Sequence, residues 1–215
     1  MTAHRTLVRR TALAVTAGVA ALVLAACGGS GDGHDMGSME SDSSPTGSAS
    51  AKAGDYNDAD VDFSKEMIQH HRQAVDMAEL AAGRASSQEV KDLAAKIKGA
   101  QDPEIRTMSG WLTSWGEEVP KKMSAEMSGG MDHDMSAAMP GMMSGQDLDK
   151  LEKASGTEFD KTFLTMMVEH HEGAIEMAKT EKTDGKYGSA TKLADDVVTA
   201  QTAEIKQMNE MLGKS

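Results

Sequence analysis

One segment of this 215-residue chain occurs twice, 100 residues apart, and this repeat limits the folds that the chain can adopt. The sequence FSKEMIQHHRQAVDMAEL begins at Phe63, and FLTMMVEHHEGAIEMAKT begins at Phe163. A second set of matches follows at the same offset. The identical pairs include Phe63/Phe163, Met67/Met167, His70/His170, His71/His171, Ala74/Ala174, Met77/Met177, Ala78/Ala178, Ala94/Ala194, Ala100/Ala200, Gln101/Gln201, Glu104/Glu204, Ile105/Ile205, Met108/Met208 and Leu112/Leu212. The chain is therefore expected to fold as two copies of one unit.

The matched positions follow the period of an α-helix. At 100° per residue, the seven matches between Phe63 and Ala78 fall within an arc of about 120°. The later matches also share one face of a helix, and no stretch alternates as a half-buried strand does. Aromatic residues make up 3% of the chain and methionines number 18, which favours an aliphatic, Met-rich core. The sequence predicts an all-α four-helix bundle over residues 55–215, built from two repeated α-hairpins with approximate two-fold symmetry.

Local signals predict where the helices begin and end. We expect main helices over residues 58–82, 86–115, 157–181 and 187–212, and a short helix over 147–154. Ser86 with Glu89 predicts a capping box at the start of the second main helix, and Thr157 predicts the cap of the third. Pro103 predicts a kink in the second helix, whereas its counterpart Ala203 predicts none in the fourth.

The first 26 residues are typical of an export signal. Three arginines precede an apolar run over residues 11–26 that is short for a membrane span. The run ends in Leu-Ala-Ala-Cys, the pattern of a bacterial lipobox, and Cys27 is the only cysteine. We predict lipidation of Cys27 and an anchor on the outer face of the cytoplasmic membrane; an ordinary signal peptide that happens to contain a cysteine is the alternative. Residues 27–54, rich in Gly, Ser and Asp, are predicted to be a flexible tether.

Charge and motif content exclude several functional classes. The formal net charge is −12, and the export signal carries three arginines and no acid, so the processed chain is more negative still. Such a surface repels the phosphates of nucleic acids. The chain has no phosphate loop and no convincing nucleophile–base pair, and its repeated core-facing carboxylates, Glu104 and Glu204, are too few for a di-iron site. We expect neither nucleic-acid binding nor an enzyme.

The repeated motif resembles a known family. The paired Phe-x3-Met-x2-His-His-x2-Ala-x2-Met-Ala segments, each followed by Ala-Gln-x2-Glu-Ile-x2-Met, are similar to the bacterial domain-of-unknown-function 305 family over residues 55–212, apart from a Met-rich insertion. The resemblance implies a ferritin-like four-helix bundle in an exported protein and, because some members are linked to copper handling, a role with copper. The positions it indicates as metal ligands are Met67, His70, His71, Met77, Glu104, Met108, Met167, His170, His171, Met177, Glu204 and Met208.

The repeated side chains include the donors that soft metal ions prefer, since thioether and imidazole suit Cu(I) and Ag(I). Neighbouring residues diverge by 100° on a helix, so His70 and His71 do not easily ligate one ion. His70 shares a flank with Met67 and Met77, whereas His71 faces a neighbouring helix. The alternative is structural: buried histidines bonded to the repeated glutamates, with methionines that fill the core. Both interpretations can hold together, because a ligating imidazole normally gives its second nitrogen to a carboxylate or carbonyl.

Residues 121–145 form a Met-rich insertion between the two halves. Five of its methionines recur every four residues in a polar segment whose glycines and proline argue against one stable helix. Exposed thioethers have no packing role, so we expect soft-metal binding; a low-complexity loop or an amphipathic turn over the bundle end is the alternative. The candidate ligands are Met123, Met127, Met131, His133, Met135 and Met139.

These observations predict a membrane-anchored, extracytoplasmic lipoprotein that buffers or delivers a metal ion, with copper as Cu(I) favoured. Its expected partners are metal ions, the membrane through the lipid anchor, and an envelope protein. A structural or protein-interaction module of the cell envelope without metal is the main alternative, and a metal-dependent redox enzyme is a weaker one.

Replacing the methionines of the insertion with leucine is expected to lower the number of Cu(I) ions bound. Leucine keeps the side-chain volume and removes the sulfur ligand. Titration of the purified protein with Cu(I) measures the change. An unchanged stoichiometry would remove the role assigned to the insertion.

Overall fold

The fold consists of five α-helices arranged according to the repeat. A computed structural model describes residues 55–122 and 139–214. The helices are α1 (Asp58–Arg84), α2 (Gln88–Trp115), α3 (Gly145–Lys153), α4 (Gly156–Asp184) and α5 (Gly188–Met211). No β-strand occurs within those two ranges. The predicted all-α class is confirmed.

The four long helices form two hairpins that pack against each other. In each hairpin the two helices lie along one another, α1 with α2 and α4 with α5. The hairpins meet where α1 packs on α4, and the short helix α3 packs on both of these helices. The arrangement is the helical bundle of two repeated hairpins that the sequence predicts.

The buried positions are largely those that the helical period predicts. Both members are buried in ten repeated pairs: Phe63/Phe163, Met67/Met167, His70/His170, His71/His171, Ala74/Ala174, Met77/Met177, Ala78/Ala178, Ala94/Ala194, Gln101/Gln201 and Met108/Met208. Ala100 and Ala200 are exceptions, since both are exposed. They lie about 100° around the helix from Gln101 and Gln201, at the edge of the buried face. A repeated alanine is compatible with either environment, so its recurrence did not indicate burial.

Two predicted helix caps are wrong. The side chain of Ser87, one residue after the predicted cap, accepts a hydrogen bond from the backbone N–H of Val90 at the start of α2. Ser86 instead donates to a carboxylate of the other hairpin. The helix α4 begins at Gly156, before Thr157, and its cap residue Ser155 makes no side-chain hydrogen bond. At the start of α2, the contact of Ser86 with Asp160 of the other hairpin leaves the capping position to Ser87.

Two other predictions concern helix continuity. The helix α2 continues through Pro103 from Gln88 to Trp115 without a break. The short helix α3 begins two residues earlier than predicted, because Ser144 and Asp147 form a capping box there.

Two aspartates at equivalent repeat positions hold the hairpin turns, each reaching into the other half. Asp60, near the start of α1, accepts hydrogen bonds from the backbone N–H groups of residues 186–187, at 3.1 and 2.8 Å. These residues form the turn between α4 and α5. Asp160, near the start of α4, accepts from the backbone N–H groups of residues 86–87, at 3.1 and 3.0 Å, in the turn between α1 and α2. The start of each hairpin is thereby bonded to the turn of the other, so α1 and α4 run antiparallel.

Glu181 breaks the repeat beside one of these aspartates. Its counterpart in the first half is Ala81. Glu181 is 1% exposed, and both of its carboxyl oxygens lack a hydrogen-bond partner. Burial raises the pKa of Glu181 to about 8, and the adjacent Asp60 adds to the shift. At neutral pH the folded protein therefore keeps this carboxyl group largely protonated.

None of the helices in residues 55–122 and 139–214 combines the length and apolar character that crossing a membrane requires. The predicted export signal, Cys27 and the tether over residues 27–54 lie outside the described residues.

The exchange Glu181→Gln is expected to remove a loss of stability at alkaline pH. The folded-state pKa of about 8 lies above the ordinary value of 4.5, so the folded chain retains a proton that the unfolded chain releases. The resulting stability is fully present below about pH 4.5 and is lost as the pH rises through about 8. Thermal unfolding between pH 5 and pH 9 should show the melting temperature of the wild type falling relative to that of the variant.

The matched control for this experiment is Glu176→Gln, which alters an exposed position of the same helix. Its melting temperature should follow the wild type across the pH range. Parallel pH profiles for the wild type and Glu181→Gln would contradict the assignment.

Candidate metal centre

The two His-His pairs of the internal repeat bring four imidazoles together where α1 packs on α4. His70 and His170, at equivalent repeat positions, lie face to face with ring centroids 3.7 Å apart and planes tilted by 41°. The rings of His170 and His171 are 6.5 Å apart. All four histidines are fully buried. We call His70, His71, His170 and His171 the imidazole cluster.

The outer histidine of each pair bonds to a glutamate of its own hairpin. His71 lies 2.7 Å, Nε2 to Oε2, from Glu104 on α2. His171 lies 2.9 Å, between the same atoms, from Glu204 on α5. The prediction that His71 faces a neighbouring helix is confirmed, and so is the pairing of buried histidines with the repeated glutamates. A carboxylate only accepts, so in each pair the imidazole donates its Nε2–H.

These bonds fix which nitrogen of each ring is free. His70 donates its Nε2–H to the carbonyl oxygen of Pro140, at 3.1 Å. In His70, His71 and His171 the remaining nitrogen, Nδ1, has no hydrogen-bond partner. Neither nitrogen of His170 has a partner. Five buried imidazole nitrogens are thus left without hydrogen bonds.

The environment keeps three of the imidazoles neutral. Burial lowers the pKa of His70 to about 3, with a further contribution from His71. Burial, followed by the neighbouring His70, holds the pKa of His170 well below its ordinary value. Burial also lowers the pKa of His171, and the hydrogen bond that His171 donates to Glu204 opposes that shift only in part. Neutral imidazole is the form that binds metal ions.

Glu204 is the partner that carries the charge. Burial alone would raise its pKa, but the hydrogen bond from His171 and the nearby Lys96 lower it below the ordinary value. The pair is therefore an ionised Glu204 that accepts a hydrogen bond from a neutral His171. The same arrangement orients a ligating histidine in many metal proteins.

The six repeated methionines of the bundle are buried in two separate core clusters. The first includes Met77, Met167 and Met208, and the second includes Met67, Met108 and Met177. The prediction that Met67 and Met77 lie together with His70 on one flank is wrong in this respect. The two are ten residues apart on α1, and each packs with methionines of the antiparallel α4, so they belong to opposite ends of the α1–α4 interface.

The Met-rich insertion is described only at its end. Met123, Met127, Met131, His133 and Met135 lie outside the described residues. Met139 is half-buried and lies directly before Pro140, the residue that accepts the hydrogen bond of His70. Met143, which is not one of the five methionines that recur every four residues, is buried in the first core cluster. It is the return of the chain over the bundle that buries Met143, and local sequence does not reveal that path.

Sequence reasoning missed three features of the site. Pro140 provides the carbonyl that fixes His70, and nothing in its local sequence indicates this. Gln101 and Gln201, one turn before the repeated glutamates, are buried with their side-chain oxygens unpartnered; their recurrence in the repeat was the available signal. Gly173 contacts Pro140, and the mismatch with its counterpart Gln73 could have drawn attention to it.

The donors near the α1–α4 interface are imidazole nitrogens and thioether sulfurs. No group of three or more His, Cys, Asp or Glu side chains in residues 55–122 and 139–214 is arranged to hold a metal ion. Imidazole and thioether donors together are the type that monovalent copper and silver prefer.

Fold and site together define a class of protein: a helical bundle of two repeated hairpins, with paired imidazoles buried where the hairpins meet. The model of the DUF305 family, a domain of unknown function, matches residues 60–212. The chain belongs to the DUF305 family, which confirms the resemblance found in its sequence.

Several relatives have solved structures. A crystal structure of a DUF305 protein from Streptomyces coelicolor, described as secreted, is 31% identical, with a match over 73% of this chain and 93% of that one and a TM-score of 0.63. CopM in its Cu(II)-bound form is 35% identical over 71% of this chain and 94% of that one, with a TM-score of 0.59. A DUF305 fragment from Deinococcus radiodurans is 29% identical over 74% and 98%, with a TM-score of 0.62. No functionally curated protein matches this chain.

The exchange Glu204→Ala is expected to destabilise the metal-free protein more than Glu104→Ala. Each removes the acceptor of a buried imidazole N–H, and an unpartnered buried donor costs about 1–3 kcal/mol. The side chain of Glu104 is 22% exposed, so water can replace it, whereas that of Glu204 is 6% exposed. Urea unfolding gives the free energy of unfolding of both variants. Equal losses would show that solvent access at the two positions does not matter.

Proposed function

We propose that this chain is an exported, membrane-anchored copper-binding protein that buffers or delivers Cu(I) through its histidine and methionine side chains. The observation that carries the proposal is the imidazole cluster, in which five ring nitrogens are buried without hydrogen-bond partners. Leaving a polar group buried without a partner costs about 1–3 kcal/mol. A bound cation would satisfy these nitrogens, which gives the cluster a reason to be present.

The chain's own residues prepare the cluster for a soft cation. Glu104 and Glu204 hold the Nε2–H of His71 and His171, which leaves Nδ1 of each ring as the ligating atom. Because burial lowers the pKa of His70, His170 and His171, a cation does not compete with imidazolium protons at these rings. The two methionine clusters lie at either end of the same interface and supply thioethers that suit Cu(I) and Ag(I).

Relatives support the choice of copper. CopM, which is 34–35% identical to this chain, has structures with Cu(II), Cu(I) and Ag bound. Export is supported by the relative from Streptomyces coelicolor that is described as secreted. Three parts of the proposal are supported by sequence patterns alone: the lipid anchor at Cys27, the tether, and the metal-scavenging role of the Met-rich insertion. We assign no catalytic activity to the chain.

A structural module without metal is the second candidate, and the hydrogen bonds of the cluster favour it. His71 and His171 each tie the two helices of one hairpin together through a glutamate. The contact between the rings of His70 and His170 joins the two hairpins. These contacts stabilise the bundle whether or not a cation binds, so the two candidates differ only in what the free Nδ1 atoms do.

Replacing the six bundle methionines with leucine is expected to weaken Cu(I) and Ag(I) binding while the fold is retained. The exchange conserves side-chain volume, so packing should lose less than about 1.5 kcal/mol per site. In the wild type, either ion at 100 times its Kd should stabilise the fold by about 2.7 kcal/mol, which thermal unfolding detects as a rise in melting temperature. The variant should show a smaller rise.

Zn(II) is the comparison ion. If neither Cu(I) nor Ag(I) raises the melting temperature of the wild type and dialysis leaves both ions unbound, the structural module is the correct function.

A further inference from the structure

The segment that leads from the Met-rich insertion to α3 crosses the bundle at the level of the imidazole cluster. We call residues Met139–Met143 the strap. On the α1 side, the carbonyl of Pro140 accepts the hydrogen bond of His70 at 3.1 Å. Three residues farther along the helix, Gln73 bonds to Met143 twice, accepting from its backbone N–H at 2.8 Å and donating to its carbonyl at 3.0 Å. The strap therefore lies directly over the part of α1 that carries the cluster.

On the α4 side, the strap touches backbone. A Cβ atom placed on Gly173 would lie 2.0 Å from the carbonyl oxygen of Pro140 and 2.6 Å from the nitrogen of Gly141. Gly141 has a positive φ of 73°, and a Cβ there would lie 2.6 Å from the carbonyl oxygen of Glu169. Only glycine at both positions allows so close an approach. A glycine in the middle of a helix lowers helix stability, so Gly173 destabilises α4. The close approach of the strap explains why a glycine is nevertheless present at this position.

The internal repeat shows that this contact is specific to one side. Gly173 and Gln73 occupy equivalent positions, yet one gives the strap room and the other bonds to its end. The strap is thus held between two residues at which the repeat differs. Its attachment consists of one hydrogen bond from His70, two from Gln73, the glycine contact, and the buried side chain of Met143.

The cluster beneath the strap is closed to solvent. His70 and His170 are both fully buried, so an ion cannot reach their free nitrogens while the packing stays as it is. Of the strap, α1 and α4, which enclose the cluster, the strap has the fewest attachments, because α1 and α4 are long helices that pack along their partners. It also brings two half-buried thioethers, Met139 and Met142, to this point. Thioethers there can hold a soft cation before it moves inward.

We propose that the strap is the entry gate of the imidazole cluster: a soft metal ion reaches His70 and His170 only after the strap has separated from Gly173. This inference rests on the proposed function and adds how the same site is reached. Separation also breaks the hydrogen bond between Nε2 of His70 and the carbonyl of Pro140. In the closed state only Nδ1 of His70 is free to bind an ion, whereas in the open state either nitrogen can bind it. Closure restores that hydrogen bond and shields the ion from water.

The test compares the rate of Ag(I) uptake by the full chain and by two glycine variants. Gly173→Ala adds a methyl group that the strap must move away from, whereas Gly110→Ala adds one to a helix position with nothing within 4 Å. Rapid mixing with Ag(I) and a competing indicator dye gives the uptake rate. Raising the fraction of open molecules raises the rate in proportion, so Gly173→Ala is expected to take up Ag(I) faster by about tenfold or more. Gly110→Ala should match the wild type.

A second variant keeps the test valid if Gly173→Ala disturbs folding, which circular dichroism would reveal. Gln73→Ala removes both hydrogen bonds to Met143 without adding bulk, and it should also accelerate uptake. Unchanged uptake rates at full Ag(I) stoichiometry in both variants would overturn the gate and leave the proposed function intact. Failure of the wild type itself to bind Ag(I) would overturn the proposed function, and the gate with it.

Discussion

The burial of four imidazoles at the α1–α4 interface is the constraint on which the rest of the structure depends. Polar rings leave water at a cost unless they find partners inside the protein. Each outer ring bonds to a glutamate on the second helix of its own hairpin, and His70 bonds to the carbonyl of Pro140. The inner rings of His70 and His170 pack with centroids 3.7 Å apart. The same contacts therefore hold each hairpin together and join the two hairpins. They also leave the Nδ1 nitrogens unpartnered, so the residues that stabilise the bundle are those that would bind a cation.

Because α1 and α4 pack antiparallel, the buried methionines of each repeat are divided between two core clusters. Met77 packs at one end of the interface with Met167 and Met208, and Met67 packs at the other end with Met108 and Met177. Each methionine cluster thus combines both halves of the chain, with the imidazoles between them. The strap adds Met143 to only one of the clusters. The duplicated sequence consequently yields two ends with unequal numbers of sulfur atoms.

Much of this architecture could be predicted from the sequence because the repeat and the helical period are local properties. They gave the all-α class, the two hairpins, the buried faces and the bonds between histidines and glutamates. The misplaced features depend on contacts between distant residues. Ser87 rather than Ser86 caps α2, because Asp160, 74 residues away, engages Ser86. Met67 and Met77 separate because of the direction of α4, and the contact of Gly173 with Pro140 depends on the path of a connecting segment. No spacing rule encodes such paths.

The reciprocal bonds of Asp60 and Asp160 have a consequence for how such a chain can arise. Each aspartate secures a turn that belongs to the other hairpin, so a solitary hairpin would have one carboxylate and one turn, both unmatched. Two copies of that hairpin, related by a dyad passing between the inner imidazoles, would match both. The fused chain therefore has the geometry of a homodimer whose subunits have become covalently linked. Linkage freed the halves to diverge, and Glu181 in place of Ala81 and Gly173 in place of Gln73 are differences that a symmetric pair of identical subunits could not possess.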